Sequence, residues 1–147
     1  MAAAAAASAG ANVTVYERNR VAGQKILVSG KGRCNFTRDC SVQELVEGFA
    51  PRGAFLYSAL SSLGPAQMCS LMDNLGVPYK IERGRRVFPA SDRAYDVRDA
   101  LYNRALSSGA RFAFGRRIAR LATEGEAIAG VIDTRGAQAD ANAVIIA

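Results

Sequence analysis

The chain has 147 residues, 50% of them apolar, and a formal charge of +6, which suits one domain of ordinary size with a single core. It has no histidine, and this excludes Ser-His-Asp triads, Cys-His dyads and the commonest metal ligand together, so any chemistry is expected to come from a cofactor. No run nears the roughly 20 strongly apolar residues of a membrane span, and Cys34, Cys40 and Cys69 have neither CxxC nor zinc-ligand spacing, so a soluble chain in a reducing cytoplasm is expected.

The opening "MAAAAAASAGA" ends in small residues, as signal peptides do, but it has no basic start and no Leu-rich segment. Alanine's high helix propensity predicts a helix instead, stopped at Gly10. "NVTVYE" reads as a buried parallel strand ending in Glu17. Residues 18–40 are rich in Gly, Lys, Arg, Asn and Ser around Ile26-Leu27-Val28. They read as a long ordered loop, and such loops are usually functional or disordered.

Ser41 with Glu44 three residues on has capping-box form and opens a short helix to Gly48. A further helix is expected over Phe55 to Leu63. In "GPAQMCSLMDNLG", Pro65 takes the first helical position, Met68, Leu71, Met72 and Leu75 share a face, and Gly76 is the stop. Residues 77–90 predict two short strands around Gly84, and a helix follows from about Ala94 to Ser107 with Val97, Leu101 and Ala105 inward. Gly109 ends it. The tail from Arg111 alternates apolar and polar residues and breaks at Glu124-Gly125 and Arg135-Gly136, which predicts a β-meander. Its last run, "AVIIA", is expected as a continuous buried strand.

Two features carry chemistry. In a dinucleotide-binding βαβ unit, the acid that holds the ribose hydroxyls lies about 20 residues beyond a glycine-rich turn, at the end of the second strand. Glu17 stands where that acid would, and counting back passes Met1, so the first strand and its turn are expected upstream of this chain. In "SGKGRCN", Gly30 and Gly32 let the backbone take positive φ and approach a flat ring or phosphate. Lys31 and Arg33 bring positive charge, while Asn35 and Thr37 can hydrogen-bond polar edges. The plain alternatives are a solvated strand-end acid and a basic turn with no ligand. The remaining cations are dispersed and do not interleave with aromatic residues, so a nucleic-acid surface is not expected.

The stretches "VTVYERN", "GQKILVSGKGRCNFT", "GAFLYSALS" and "LGVPYKIERGRRVFPASDRAYDVRDAL" resemble, in that order and spacing, the BaiN-type, aminoacetone-oxidase-like NAD(P)/FAD-dependent oxidoreductases. The resemblance covers nearly the whole chain, and "SGKGRCN" and "GRRVFPASD" are its specific elements. It implies an α/β fold: a partial, doubly wound Rossmann-like FAD-binding domain of the glutathione-reductase-like class, with a helical insertion and a β-meander. Residues 1–147 would form one incomplete domain lacking its first strand and the rest of the enzyme.

The same resemblance implies FAD as cofactor and NADH or NADPH as electron donor, with electrons passing to a small organic acceptor or oxygen. Cofactor-binding positions carried over are Glu17, Arg18, Asn19, Lys25, Gly30, Lys31, Gly32, Arg33, Cys34, Asn35, Thr37 and Ile118. Glu17 would take the adenosine ribose, Lys25 the pyrophosphate or ribose, and Ile118 the adenine through its main chain. The Cys34 thiol itself reads as packing. Arg83, Arg85 and Arg86 face a substrate or nicotinamide cofactor, or form an exposed hairpin tip, and no catalytic acid or base stands out. The alternatives are an inactive gene fragment and a non-enzymatic nucleotide- or nucleic-acid-binding module.

Overall fold

A computed structural model describes residues 1–147. The chain divides into two units, one made of Met1–Ala22 with Asn103–Ala147 and the other of Gly23–Tyr102.

In the first unit, helix α1 (Ala2–Ser8) leads into strand β1 (Thr14–Glu17), as the alanine run and the β-branched run predict. The partner of β1 is β5 (Arg111–Phe114), paired in parallel with Thr14 opposite Arg111 and Glu17 opposite Phe114. "RFAF" is therefore not the start of the meander. It follows the last turns of helix α6 (Ala94–Ser107), and a strand that emerges from a crossover helix is placed to pair in parallel. Small side chains let these pieces approach closely: Ala4, Ala105 and Ala110 are buried together, with Ala3, Ala7, Val13 and Phe112 packed around them. β1 itself is half-exposed rather than buried, because its sheet has two strands.

The meander follows as β6 (Ile118–Glu124), β7 (Ala127–Asp133) and β8 (Gln138–Asp140), antiparallel in that order. Its turns fall at the two predicted glycines, Gly125 and Gly136, both with positive φ. The run "AVIIA" is not a strand: residues 143–147 pair with nothing, and Ile145 and Ile146 are exposed. Apolar content alone does not make a strand without a neighbour to take its main-chain bonds.

In the second unit, α2 (Gln24–Val28) runs into a 3-10 turn at Ser29–Gly32, and β2 (Thr37–Arg38) follows. Helix α3 (Val42–Glu47) starts on the expected capping box, with the Ser41 hydroxyl accepting from Glu44 N and the Glu44 carboxylate accepting from Ser41 N. α4 (Tyr57–Ser62) and α5 (Pro65–Asn74) come next, the latter with Pro65 in its first turn. β3 (Tyr79–Glu82) and β4 (Arg86–Pro89) form the hairpin around Gly84, and β2 pairs antiparallel with the other side of β4. The core is Cys34, Met72, Val77, Ala94 and Val97, with Ile26, Leu27, Met68 and Leu71 packed on it. Val87, Phe88 and Pro89 are buried along β4.

Candidate functional site

The expected cofactor-binding residues fall into two groups, one in each unit. In the first unit, Glu17 closes β1. Its Oε1 accepts from the Asn19 main-chain N–H and from Asn19 Nδ2, each at 2.8 Å, and its Oε2 takes no donor from the protein. The adjoining main chain is held as well: Arg116 N donates to Glu17 O at 3.0 Å and Gly115 N donates to Asn19 O at 3.2 Å.

Those two bonds tie the β5–β6 connection to the end of β1, and Ile118 opens β6 two residues later. Glu17, Asn19 and Ile118 are thus gathered at one end of the parallel strand pair, while Arg18 is exposed beside them. An oriented carboxylate with one free oxygen is an acceptor set that fits vicinal hydroxyls, so the residues present suit the ribose of a nucleotide.

The second group lies on the turn after α2. Gly30, Lys31, Gly32 and Cys34 all have positive φ, an unusual run that only glycines adopt without cost. Gly30 is required on a second count. A Cβ there would lie 2.7 Å from Asn35 N and 3.0 Å from the Phe88 ring. The turn is therefore pressed against a buried aromatic residue that the sequence did not connect with it.

Arg33 differs from the free cation that the sequence suggests. Its Nη1 lies 2.8 Å from Glu82 Oε1 and 3.2 Å from Asp92 Oδ1, and its guanidinium stacks 4.1 Å above the Phe88 ring. Lys80 Nζ completes the cluster, 2.6 Å from Asp92 Oδ2 and 3.6 Å from Glu82 Oε1. Two cations and two carboxylates balance, so Arg33 fastens the turn to the hairpin. Hydrogen bonds from Arg33 and Lys80, respectively, hold the Glu82 and Asp92 carboxyls below their ordinary range. Glu82 and Asp92 were missed because one acid in a hairpin strand and one in the turn after it give no periodic signal; their clustering with cations in "YKIERGRR" and "SDR" was the available hint.

The remaining charge on the turn is Lys31, which is exposed and forms no ion pair, and Lys25 on α2 is likewise exposed. Asn35 is exposed and Thr37 is half-buried in β2 opposite Val87. Cys34 is buried, and burial pushes its thiol above the ordinary range, which favours the neutral, unreactive form. All three cysteines are free, and no group of His, Cys, Asp or Glu is arranged to hold a metal ion.

The arginines of the hairpin form its tip. Arg85 pairs with Glu44 at 2.8 Å, and Arg86 Nε donates to Arg83 O at 3.1 Å. No helix is long and apolar enough to cross a membrane.

Comparison with known proteins agrees with the fold. Residues 1–147 match the family described as HI0933-like protein Rossmann domain. Over 99 residues, 67% of this chain, the sequence is 32% identical to the 3-dehydro-bile acid delta(4,6)-reductase of Clostridium scindens, of which the matched part is 24%. Among solved structures, THI4 of Thermovibrio ammonificans superposes with a TM-score of 0.55 at 14% identity, covering 90% of this chain and 42% of that one. The chain thus spans well under half the length of these relatives, and the THI4 likeness is one of fold.

Proposed function

The chain belongs to the HI0933-like Rossmann-domain family, and on that premise we propose that it is the FAD-holding part of a flavin-dependent oxidoreductase. The observation that carries the reading is the Glu17 carboxylate: it is fixed at the end of a parallel strand by two bonds from Asn19, and its Oε2 is left for a ligand. This is the chemistry and the topological position at which a Rossmann fold takes the ribose of a dinucleotide. When bound, FAD supplies a ring that accepts hydride and passes electrons onward.

The chain's own residues bind and orient. Glu17 accepts from the ribose hydroxyls, with Arg18 and Asn19 flanking it, and the main chain at Ile118 borders the adenine. Lys25 and Lys31 supply positive charge toward phosphate or reduced flavin. The turn Gly30, Lys31, Gly32, Arg33, Cys34, Asn35 would offer main chain to the flavin, and Thr37 would offer a hydroxyl. NADH or NADPH is the electron donor, and the acceptor is a small organic molecule, as the name of the bile-acid relative suggests.

The reading is tested by titrating the chain with FAD and following flavin fluorescence and absorbance, then adding NADH or NADPH without oxygen. We expect saturable binding that Glu17→Gln weakens roughly tenfold, the scale of losing a hydrogen bond to a charged group. Bleaching of the bound flavin near 450 nm by a nicotinamide would identify the donor. A chain that binds no flavin, or binds it equally well without the Glu17 carboxylate, refutes the assignment. Salt-sensitive binding of RNA or DNA in place of flavin would favour a nucleic-acid module.

A further inference from the structure

We infer that Arg116 and Asp133 are positioning residues for the adenosine end of the cofactor site, an inference that rests on the flavin reading of Glu17. Asp133, at the end of β7, is the fully buried charged residue of the chain, 3% exposed. A buried carboxylate is costly unless its oxygens are satisfied. Here Oδ1 accepts from Arg135 N and Ala137 N, each at 2.9 Å, while Oδ2 is ion-paired at 2.7 Å with Arg116 Nε, a buried atom that makes no hydrogen bond. Burial pushes the Asp133 carboxyl up, but the two main-chain donors and Arg116 outweigh it and hold it below the ordinary range.

Arg116 faces two ways. Its Nε is closed off from solvent against Asp133, and its guanidinium carbon stands 5.9 Å from the centre of the Tyr16 ring on β1. Its main-chain N–H meanwhile donates to Glu17 O. Asp133 therefore anchors a side chain whose own backbone helps to set where β1 ends and the Glu17 carboxylate begins. Thr134 N, donating to Arg117 O at 2.9 Å, fastens the same two segments a second time.

A buried ion pair is a poor route to stability, since apolar replacements often match or exceed it, whereas it fixes orientation well. Its place, directly behind the residue that recognises the ribose, is where orientation matters. The signal in the sequence was slight: an aspartate three residues before the Gly136 turn, and one of two adjacent arginines.

The experiment titrates the full 147-residue chain with FAD and with ADP, which carries the adenosine end alone. Wild type is compared with Asp133→Asn, Arg116→Met, Arg116→Lys and the double variant Asp133→Asn/Arg116→Met. We expect each of the first two to weaken both ligands by roughly tenfold, the scale of one buried charge contact. The double variant falls no further than the worse single, because both act through one contact, and Arg116→Lys lies between.

A purely structural pair would lower the denaturation midpoint and leave the affinity of folded protein unchanged, and that result overturns the inference. So does a loss of FAD affinity with ADP affinity unaltered. Should Asp133→Asn not fold, Arg116→Met decides the matter, since the Arg116 side chain is 34% exposed. Wild type binding FAD and ADP with variants equal to it sinks this inference alone; wild type binding neither sinks the flavin reading and this inference with it.

Discussion

Replacing Gly30 by alanine probes the turn at its tightest point. Gly30 has φ 56° and ψ 32°, a left-handed conformation that costs an L-residue about 1–2 kcal/mol. The new methyl would also meet Asn35 N at 2.7 Å and Phe88 Cε1 at 3.0 Å. Neither neighbour yields easily: one is main chain, and the other belongs to a ring that is 2% exposed and lies beneath the Arg33 guanidinium. Overpacking of this kind costs about 1–3 kcal/mol, so the expected destabilisation is about 2–5 kcal/mol. Lys31→Gly is the matched control. Lys31 has φ 58° and ψ 42° and is exposed, so glycine relieves strain without crowding, and stability should stay level or rise by up to about 1 kcal/mol after the larger unfolded-state entropy of glycine is counted. Urea titrations followed by circular dichroism measure both. A loss at Gly30 with none at Lys31 is the expected result; a Gly30→Ala variant within about 0.5 kcal/mol of wild type would refute the argument that the turn is pinned against Phe88.

Three other outcomes follow from the geometry. Met72 is 0% exposed in the core of the second unit, and Met72→Ala should cost about 2–5 kcal/mol in the same titration. Gly130 leaves no room for a side chain, since a Cβ would lie 2.3 Å from Ala139 O; Gly130→Ala should displace β8, read as faster amide exchange at Gln138–Asp140 with β1 and β5 unaffected. The Glu44 carboxyl is lowered from 4.5 to about 2, first by the hydrogen bond from Arg85 and then by those from Ser41. Because its folded value is depressed, its contribution to stability is fully present above pH 4.5 and is lost as the pH falls toward 2. Glu44→Gln should therefore differ most from wild type near neutral pH and converge with it in strong acid, as measured by denaturation at a series of pH values.

Local chemistry was readable wherever it is settled within a few residues. The alanine helix, the Ser41 capping box, the helix from Ala94 to Ser107 and the Gly84 hairpin all follow from propensity, caps and turn residues that need no distant partner. So did the placement of Glu17 at a strand end and the positive φ at Gly30 and Gly32. What the sequence did not disclose depends on partners far along the chain. "RFAF" resembles any alternating strand until Val15 is found opposite Phe112, and "AVIIA" was read as a buried strand although no strand pairs with it. Arg33 looked like a ligand-facing cation because its partners Glu82 and Asp92 lie some fifty and sixty residues away, a spacing without periodic signature.

The interrupted make-up of the first unit has a consequence for biosynthesis. β1 is translated at residues 14–17, but the segment it pairs with begins at Arg111, nearly a hundred codons later. At about 5–20 residues per second, the ribosome leaves that strand waiting for roughly 5–20 seconds. Gly23–Tyr102 is contiguous and carries its own core, so it can collapse during the wait and shorten the span that must close. Nascent-chain stalling before and after Arg111 would then find the middle of the polypeptide protected from protease well before its beginning.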